Sequence, residues 1–279
     1  MKSIQQIEKT SQPEKFVRLS EIDKREIDNP VAYHHGRLNY VDRLNKIISV
    51  LGRKFPNPAA VRMADIGCCQ ANLSLLMAEK GFDVTAIDIN PDFLEYAALK
   101  KENGKIKFVQ GNFDSLKMEG LFDIIMLGEI VEHCAYPEDF TKKAAEYLKP
   151  GGVLFVTTPN ADMFMNDLPT FGKLKNREDR KFLEERQFGP DGEDHLFLFT
   201  LDDLKLIVPD GISLEESGYL GGTVLINKRT IFMLSILPKG WPEALERLIA
   251  NIPFLNRLTC HGIYAVYRVE RVERVRSHI

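Results

Sequence analysis

Val61-Arg-Met-Ala-Asp-Ile-Gly-Cys-Cys-Gln-Ala-Asn72, followed by Val84-Thr-Ala-Ile-Asp-Ile-Asn90, decides the fold of this chain. Arg62 to Ile66 reads as a short buried strand, Gly67 to Ala71 as a tight turn of small residues, and Asn72 to Lys80 as a helix. Val84 to Ile87 reads as a second strand ending at Asp88. A strand, a small-residue turn, a helix and an acid closing the next strand make the nucleotide half of a doubly wound sheet. The turn lets backbone N–H groups approach a ligand, and the acid accepts hydrogen bonds from two ribose hydroxyls. Asp88 stands 21 residues after Gly67 (88 − 67), close to the spacing of ~20 expected of that acid. The dinucleotide pattern G-x-G-x-x-G would need glycine where Cys69 and Asn72 stand. A pyrophosphate requires very close backbone approach at the second glycine, so Cys69 argues against a dehydrogenase.

The looser pattern Asp-x-Gly-x-Gly-x-Gly fits better, with Asp65 and Gly67 in place and Cys69 and Ala71 where glycines are usual. In this pattern the chain resembles the class I S-adenosylmethionine-dependent methyltransferases. Later segments extend the resemblance. Ile106 to Gln110 is a third strand, followed by Gly111-Asn-Phe-Asp114 where the family carries Gly-Asp beside the adenine. The carbonyl of Asn112 suits the adenine amino group. Phe122 to Gly128 is a fourth strand, a buried apolar run of the parallel-sheet kind. Leu148-Lys-Pro-Gly-Gly-Val-Leu-Phe-Val-Thr-Thr-Pro-Asn160 matches the family's helix stop, Pro-Gly-Gly turn and fifth strand. The resemblance implies an α/β, doubly wound, mostly parallel seven-stranded sheet with helices on both faces, a Rossmann-like fold. Its last strand is antiparallel, with a helical insertion before it. It implies S-adenosyl-L-methionine as cofactor, bound by Asp65, Gly67, Cys69, Ala71, Asp88, Ile89, Asn112, Phe113 and Gly128.

Bulk properties agree with a soluble enzyme. A chain of 279 residues suits one large α/β domain or a domain with an insertion. A net charge of −3 provides no global basic field for nucleic acid. The start, Met1-Lys-Ser-Ile-Gln-Gln, lacks a signal-peptide core, and the apolar run Thr230–Leu237 is far short of the ~20 residues needed to span a bilayer. Cys68, Cys69, Cys134 and Cys260 form no C-x-x-C pair, so no zinc or disulfide framework is expected, and Cys68 and Cys69 read as small packing residues in a reducing cytosol.

Residues 1–58 read as an N-terminal arm and a cofactor-covering helix, and 59–279 as the methyltransferase domain, with 160–200 and 229–260 as substrate or lid insertions. Leu38, Val41, Leu44, Ile47, Ile48 and Leu51 follow helical spacing. By resemblance this helix covers the cofactor, so Tyr33 and Arg37 are candidates to touch its carboxylate, against a simpler reading as solvated arm residues. Leu201 to Val208 reads as a short helix, Ser213–Ser217 and Gly222–Ile226 as a strand interrupted at Gly221-Gly222, and Gly262 to Val269 as the last strand. In Trp241 to Ala250, Leu245, Leu248 and Ile249 oppose Glu243, Glu246 and Arg247. This insertion reads as a lid or weak membrane-surface contact anchored by Phe232, Trp241 and Phe254, or as a helical pair packed on the sheet or in a homodimer interface. Its polar face is not strongly basic, which favours the second.

Methyl transfer is an in-line displacement on a sulfonium, so the protein must align a nucleophile and, for an alcohol, help remove its proton. Gly128-Glu-Ile-Val-Glu-His133 follows the fourth strand, at the carboxyl end where open sheets bind ligands. A helical turn there would put Glu129, Glu132 and His133 on one face. The segment resembles the Glu-x-x-Glu-His of the ubiquinone-biosynthesis O-methyltransferases. It also resembles that of the small-RNA 2′-O-methyltransferases, in which these residues and a later histidine hold a divalent metal. Asp194-His195 stands in the corresponding later position. The resemblance makes Glu129, Glu132, His133 and His195 catalytic candidates and ligands for Mg²⁺, Mn²⁺ or Zn²⁺. A metal-free histidine base and plain structural roles remain alternatives.

The reading of function is therefore O-methylation of a small-molecule, glycan or lipid-linked acceptor in the cytoplasm. The alternatives are an RNA 2′-O-methyltransferase and a non-catalytic cofactor-binding regulator. Arg268-Val-Glu-Arg-Val-Glu-Arg-Val-Arg276 interleaves bases with acids rather than forming a basic stripe, which argues against RNA. The Glu129–His133 cluster and Asp88 argue against a mere regulator.

Overall fold

Consecutive apolar residues with small ones between them build the central strands. In β1 (Arg62–Ile66), Met63, Ala64 and Ile66 are buried, as are Ile124 to Leu127 of β4 (Phe122–Gly128) and Val153 to Val156 of β5 (Leu148–Pro159). Strands buried on both faces belong to parallel sheets covered on both sides. The computed structural model describes residues 1–3, 6–7, 14–27, 35–163, 167–188, 195–223, 241, 248 and 252–270. Among these, β2 (Asp83–Asp88), β3 (Lys105–Gln110), β6 (Ile212–Thr223) and β7 (Cys260–Val269) complete a seven-stranded sheet of order β3-β2-β1-β4-β5-β7-β6. The first five strands are parallel, and β7 pairs antiparallel with both β5 and β6. The expected doubly wound fold is present, and the strand order reverses between β1 and β4, where such sheets bind ligands.

Alternation along each strand divides the core into two layers. One layer combines Met63, Val84, Ile124 and Phe155 with Leu44, Ile47 and Leu51 of α2 (His35–Lys54) and with Leu75 and Met77 of α3 (Asn72–Glu79). The other combines Ile66, Ile125, Leu127 and Val156 with Phe140 of α5 (Pro137–Glu146) and with Phe171, Phe197 and Phe199. The connection from β3 to β4 carries no helix among the described residues. It leaves a cleft of about 450 Å³ beside Thr85, Lys107 and Phe122, away from the switch point.

The arm folds onto this frame. Residues 14–16 form a 3-10 turn leading into α1 (Val17–Glu26). Asp23, 2% exposed, accepts hydrogen bonds from Asn72 Nδ2 and Lys100 Nζ, both at 2.8 Å, the latter at the end of α4 (Pro91–Lys100). Phe16 and Leu19 pack on Tyr96. A buried charge pair is tolerated only when its partners saturate it, and Lys100 gains a second acceptor in Asn72 Oδ1 at 2.5 Å.

Two local expectations change in form. Residues 201–208 shorten to a 3-10 helix, Asp203–Ile207, started by a reciprocal cap. In that cap Thr200 N–H donates to Asp203 Oδ2 and Asp203 N–H to Thr200 Oγ1. The interrupted strand is continuous over Ile212–Thr223, with its pairing with β7 shifting register between Leu220 and Thr223, and residues 224–226 lie outside the described residues. No helix among the described residues is long and apolar enough to cross a membrane.

Candidate active site

The turn after β1 is shaped by close approach. Gly67 has φ +69, and a Cβ there would meet Ile130 Cδ1 at 2.6 Å. Its N–H and that of Cys68 donate to Ile87 O at 2.8 and 3.0 Å, closing the turn against β2. Cys69 and Ala71 also hold left-handed backbone, with φ 47 and 53, so they adopt the conformation a glycine would take without adding one. Asp88 ends β2 with its carboxylate held from both sides, Oδ2 by Cys69 N–H and Oδ1 by Asn90 N–H, each at 2.8 Å. Burial raises its pKa, against those hydrogen bonds. Ile89, beside it, is 62% exposed and offers an apolar surface. Asp65 is buried, accepts from Ser74 Oγ at 2.6 Å and so ties β1 to α3. Burial pushes its pKa up to about 7, opposed by Ser74 and aided by Asp88.

The adenine-side candidates separate. Asn112 Oδ1 accepts from Asp114 N–H at 2.9 Å, an Asx turn that orders the loop. Phe113 is 5% exposed and packs against Phe140 and Tyr147, with ring centroids 5.0 and 6.4 Å apart. Its side chain belongs to the core.

Gly128 closes β4, and the chain then turns sharply. Glu129 has φ +53 and donates its N–H to Thr157 O at 3.0 Å. Only Val131–His133 is helical, as a 3-10 turn, so the expected single face of three residues does not form. Glu129 instead turns to α2, where its Oε2 meets Arg43 Nη1 at 2.9 Å. Glu129 Oε1 is buried without a hydrogen-bond partner among the described residues. Arg43 lies over the Tyr40 ring at 5.1 Å. Burial opposes its charge, but Glu129, Tyr40, Glu26 and Glu132 together hold its pKa above the usual guanidinium value.

Glu132, His133 and His195 converge. Glu132 is wholly buried, and its Oε2 accepts from Thr158 Oγ1 at 2.9 Å. Its Oε1 has no hydrogen-bond partner among the described residues and lies 3.9 Å from His133 Nε2 and 4.0 Å from His195 Nε2. The two rings meet edge to face, 4.9 Å between centroids. Leu196 N–H donates to Glu132 O at 2.9 Å, which carries His195 to the other two. Burial drives the Glu132 pKa well above the carboxylate range, with Glu129 adding repulsion. One ligand atom from each of the three residues lies within 4.8 Å of the others. A common centre would then sit roughly 2.5 Å or less from each, a few tenths of an ångström beyond the 2.0–2.2 Å of a bound ion. The donor set fits a divalent cation, with Oε1 of Glu132 the buried atom such an ion would satisfy. Glu129 lies outside this group.

Residues 64–156 match the profile of a family described as "Methyltransferase domain". A ubiquinone biosynthesis O-methyltransferase of Rickettsia canadensis is 30% identical over 155 residues, covering 51% of this chain and 66% of the relative. The protein of that name from Caulobacter vibrioides is 40% identical over 102 residues, covering 35% and 40%. The chain thus spans less than two thirds of the length of the curated relatives it matches. In solved structures, the fold resembles magnesium protoporphyrin IX methyltransferase from Synechocystis PCC 6803 with bound SAH. The TM-score is 0.54 at 14% identity, covering 91% of this chain and 93% of that one. The matched segment is a methyltransferase domain of the S-adenosylmethionine-dependent class.

The end of β5 is tied to the segment that leads into β7. Asn160 Nδ2 donates to Arg257 O and Cys260 O at 2.8 and 2.9 Å, and Arg257 pairs with Asp162 at 3.0 Å. Asn160 thereby fastens α6 (Pro253–Thr259) to the end of β5. Trp241, Leu248 and Phe254 are exposed. Tyr33, Asp194, Phe232, most of 229–251 and residues 271–279 lie outside the described residues, as does the side chain of Arg37. Sequence reasoning missed Arg43 and Thr158. Arg43 left one trace, since Tyr40 and Arg43 stand three apart on one flank of a helix whose core face was readable. Thr158 left none, because a threonine in a strand reads first as a β-former.

Proposed function

We propose that this methyltransferase transfers the methyl group of S-adenosylmethionine to a hydroxyl oxygen of a small-molecule acceptor. The observation that carries the reading is Glu132 Oε1, buried and without a hydrogen-bond partner among the described residues, facing two imidazole Nε2 atoms at 3.9 and 4.0 Å. The relatives' name, ubiquinone biosynthesis O-methyltransferase, supports oxygen as the methylated atom.

The cofactor supplies an electrophilic methyl group on a sulfonium. Asp88 is suited to bind the ribose hydroxyls, and Ile89 to cover the adenine. Arg43 and Glu129, now paired with each other, suit a zwitterionic amino-acid end: the guanidinium takes the carboxylate, and Glu129 the ammonium. An imidazole of His133 or His195 accepts the acceptor's hydroxyl proton as its oxygen forms the bond to the methyl carbon, while the carbon–sulfur bond breaks to leave a neutral thioether. Glu132 Oε1 faces both rings at 3.9 and 4.0 Å and, in its ionised form, stabilises the imidazolium that results.

A second reading uses the same three residues. Glu132, His133 and His195 would hold a divalent cation, which lowers the pKa of a bound hydroxyl. Chelation separates the two: with a metal, EDTA abolishes turnover and leaves cofactor binding intact.

The test is incubation with radiolabelled S-adenosylmethionine and 3,4-dihydroxybenzoate, a probe with acidic hydroxyls. Labelled methyl ether is expected from the wild type and not from His133→Ala combined with His195→Ala. Transfer to amine probes alone, or full activity in the double variant, would overturn the assignment.

A further inference from the structure

The two histidines stand 62 positions apart (195 − 133), so something must register one segment against the other. Arg180, in the 3-10 helix Glu178–Arg186, lies between them and is 1% exposed. Toward the His133 side, its Nη1 donates to Ala135 O at 2.9 Å, two residues past His133. Its fork then grips Glu138 in the first turn of α5, at 2.8 and 2.6 Å. Toward the His195 side, its guanidinium lies over the Phe171 ring at 4.9 Å. Phe171 N–H donates to Leu198 O at 2.8 Å, and its ring contacts Phe197 and Phe199 with centroids 5.3 and 5.1 Å apart. The segment that begins at His195 is thus packed on the ring that Arg180 covers. Ala135 N–H also donates to Gln187 Oε1 at 3.2 Å.

We propose that Arg180 is a positioning residue for the reaction: it joins the segment bearing His133 to the segment bearing His195 and sets their spacing around Glu132. A planar guanidinium can grip a carboxylate with both nitrogens and still reach a carbonyl; an ammonium cannot do so in one plane. Arg180→Lys therefore keeps the charge and loses the register. This rests on the methyl-transfer reading for its kinetic consequence, not for its structural one.

The experiment compares Arg180→Lys, Arg180→Met and Glu138→Gln with the wild type. Arg177→Ala serves as control: this half-exposed neighbour also pairs with Glu138, at 3.2 Å, from the surface. The readouts are hydrogen exchange at the Leu196 amide, S-adenosylhomocysteine affinity by calorimetry, and turnover of 3,4-dihydroxybenzoate. Arg180→Lys is expected to expose the Leu196 amide and lower kcat about 10²-fold, the scale of a 1 Å misplacement. S-adenosylhomocysteine affinity should stay within about twofold, because Asp88 and Arg43 lie on other elements. Arg177→Ala should change none of the three. Should Arg180→Met fail to fold, the lysine and glutamine variants carry the test. Unchanged Leu196 protection, or a kcat loss matched by Arg177→Ala, overturns the proposal. If the wild type turns over no probe, the methyl-transfer reading fails alone, and Leu196 exchange in Arg180→Lys still decides the coupling.

Discussion

Cys69 and Ala71 share a left-handed backbone but not an environment, so replacing each with glycine should give different results. A left-handed conformation costs an L-residue roughly 1–2 kcal/mol that glycine does not incur. Glycine returns about 0.4–1 kcal/mol of this through the greater entropy of its unfolded chain. Cys69 is exposed, so its side chain contributes little burial, and Cys69→Gly should stabilise by about 0.5–1 kcal/mol. Ala71 is 0% exposed, and losing its methyl forfeits a further ~0.8 kcal/mol, leaving Ala71→Gly near neutral. At about 2–4 °C per kcal/mol for a chain of this size, calorimetry should find Cys69→Gly raised by roughly 1–4 °C and Ala71→Gly within about 1 °C of wild type. The Cys69 N–H bond to Asp88 survives in glycine, so cofactor affinity should hold or improve. A lowered Tm for Cys69→Gly, or a larger gain for Ala71→Gly than for Cys69→Gly, would refute the idea that backbone strain dominates at this turn.

Asp88→Ala should weaken S-adenosylmethionine binding at least about tenfold by calorimetry, because charge-assisted hydrogen bonds contribute roughly 1.5–3 kcal/mol; equal affinities would remove Asp88 from the cofactor site. Arg43→Met should weaken binding by a similar factor while sparing adenosine, which lacks the amino-acid end; equal losses for both ligands would place Arg43 elsewhere in the site. For Asp65, burial raises the folded pKa from 3.8 to about 7. The folded state then binds the extra proton, and its stabilising contribution is full below pH 3.8 and lost as pH rises toward 7. Asp65→Asn should flatten the fall of Tm across that window, and an unchanged slope would show that other groups set it.

The cofactor half was readable because its information is local. Gly67, the small-residue turn and Asp88 lie within one strand-turn-helix-strand unit, and apolar runs at β1, β4 and β5 report burial directly. Glu132, His133 and His195 were nameable as types of residue, but Glu129 was misplaced with them. Its direction depends on a left-handed φ and on Arg43, which stands 86 positions earlier (129 − 43). Phe113 drew attention by its place in a motif, whereas its environment is Phe140 and Tyr147 from a later helix. The packing of the arm was not legible because its polar sequence hides Asp23, whose partners Asn72 and Lys100 lie 49 and 77 positions away.

The sequence by itself determined the α/β class, the succession of the first five strands along the chain and the acid that ends β2. Each follows from residue periodicity and turn chemistry over short spans. Only the tertiary structure decided which polar groups meet: Arg43 with Glu129, Thr158 with Glu132, His133 with His195, and Arg180 between the segments that bear the two histidines. Such pairings depend on how layers stack and on which side chains lose their water in doing so. Those terms arise only once elements far apart in the chain pack against one another.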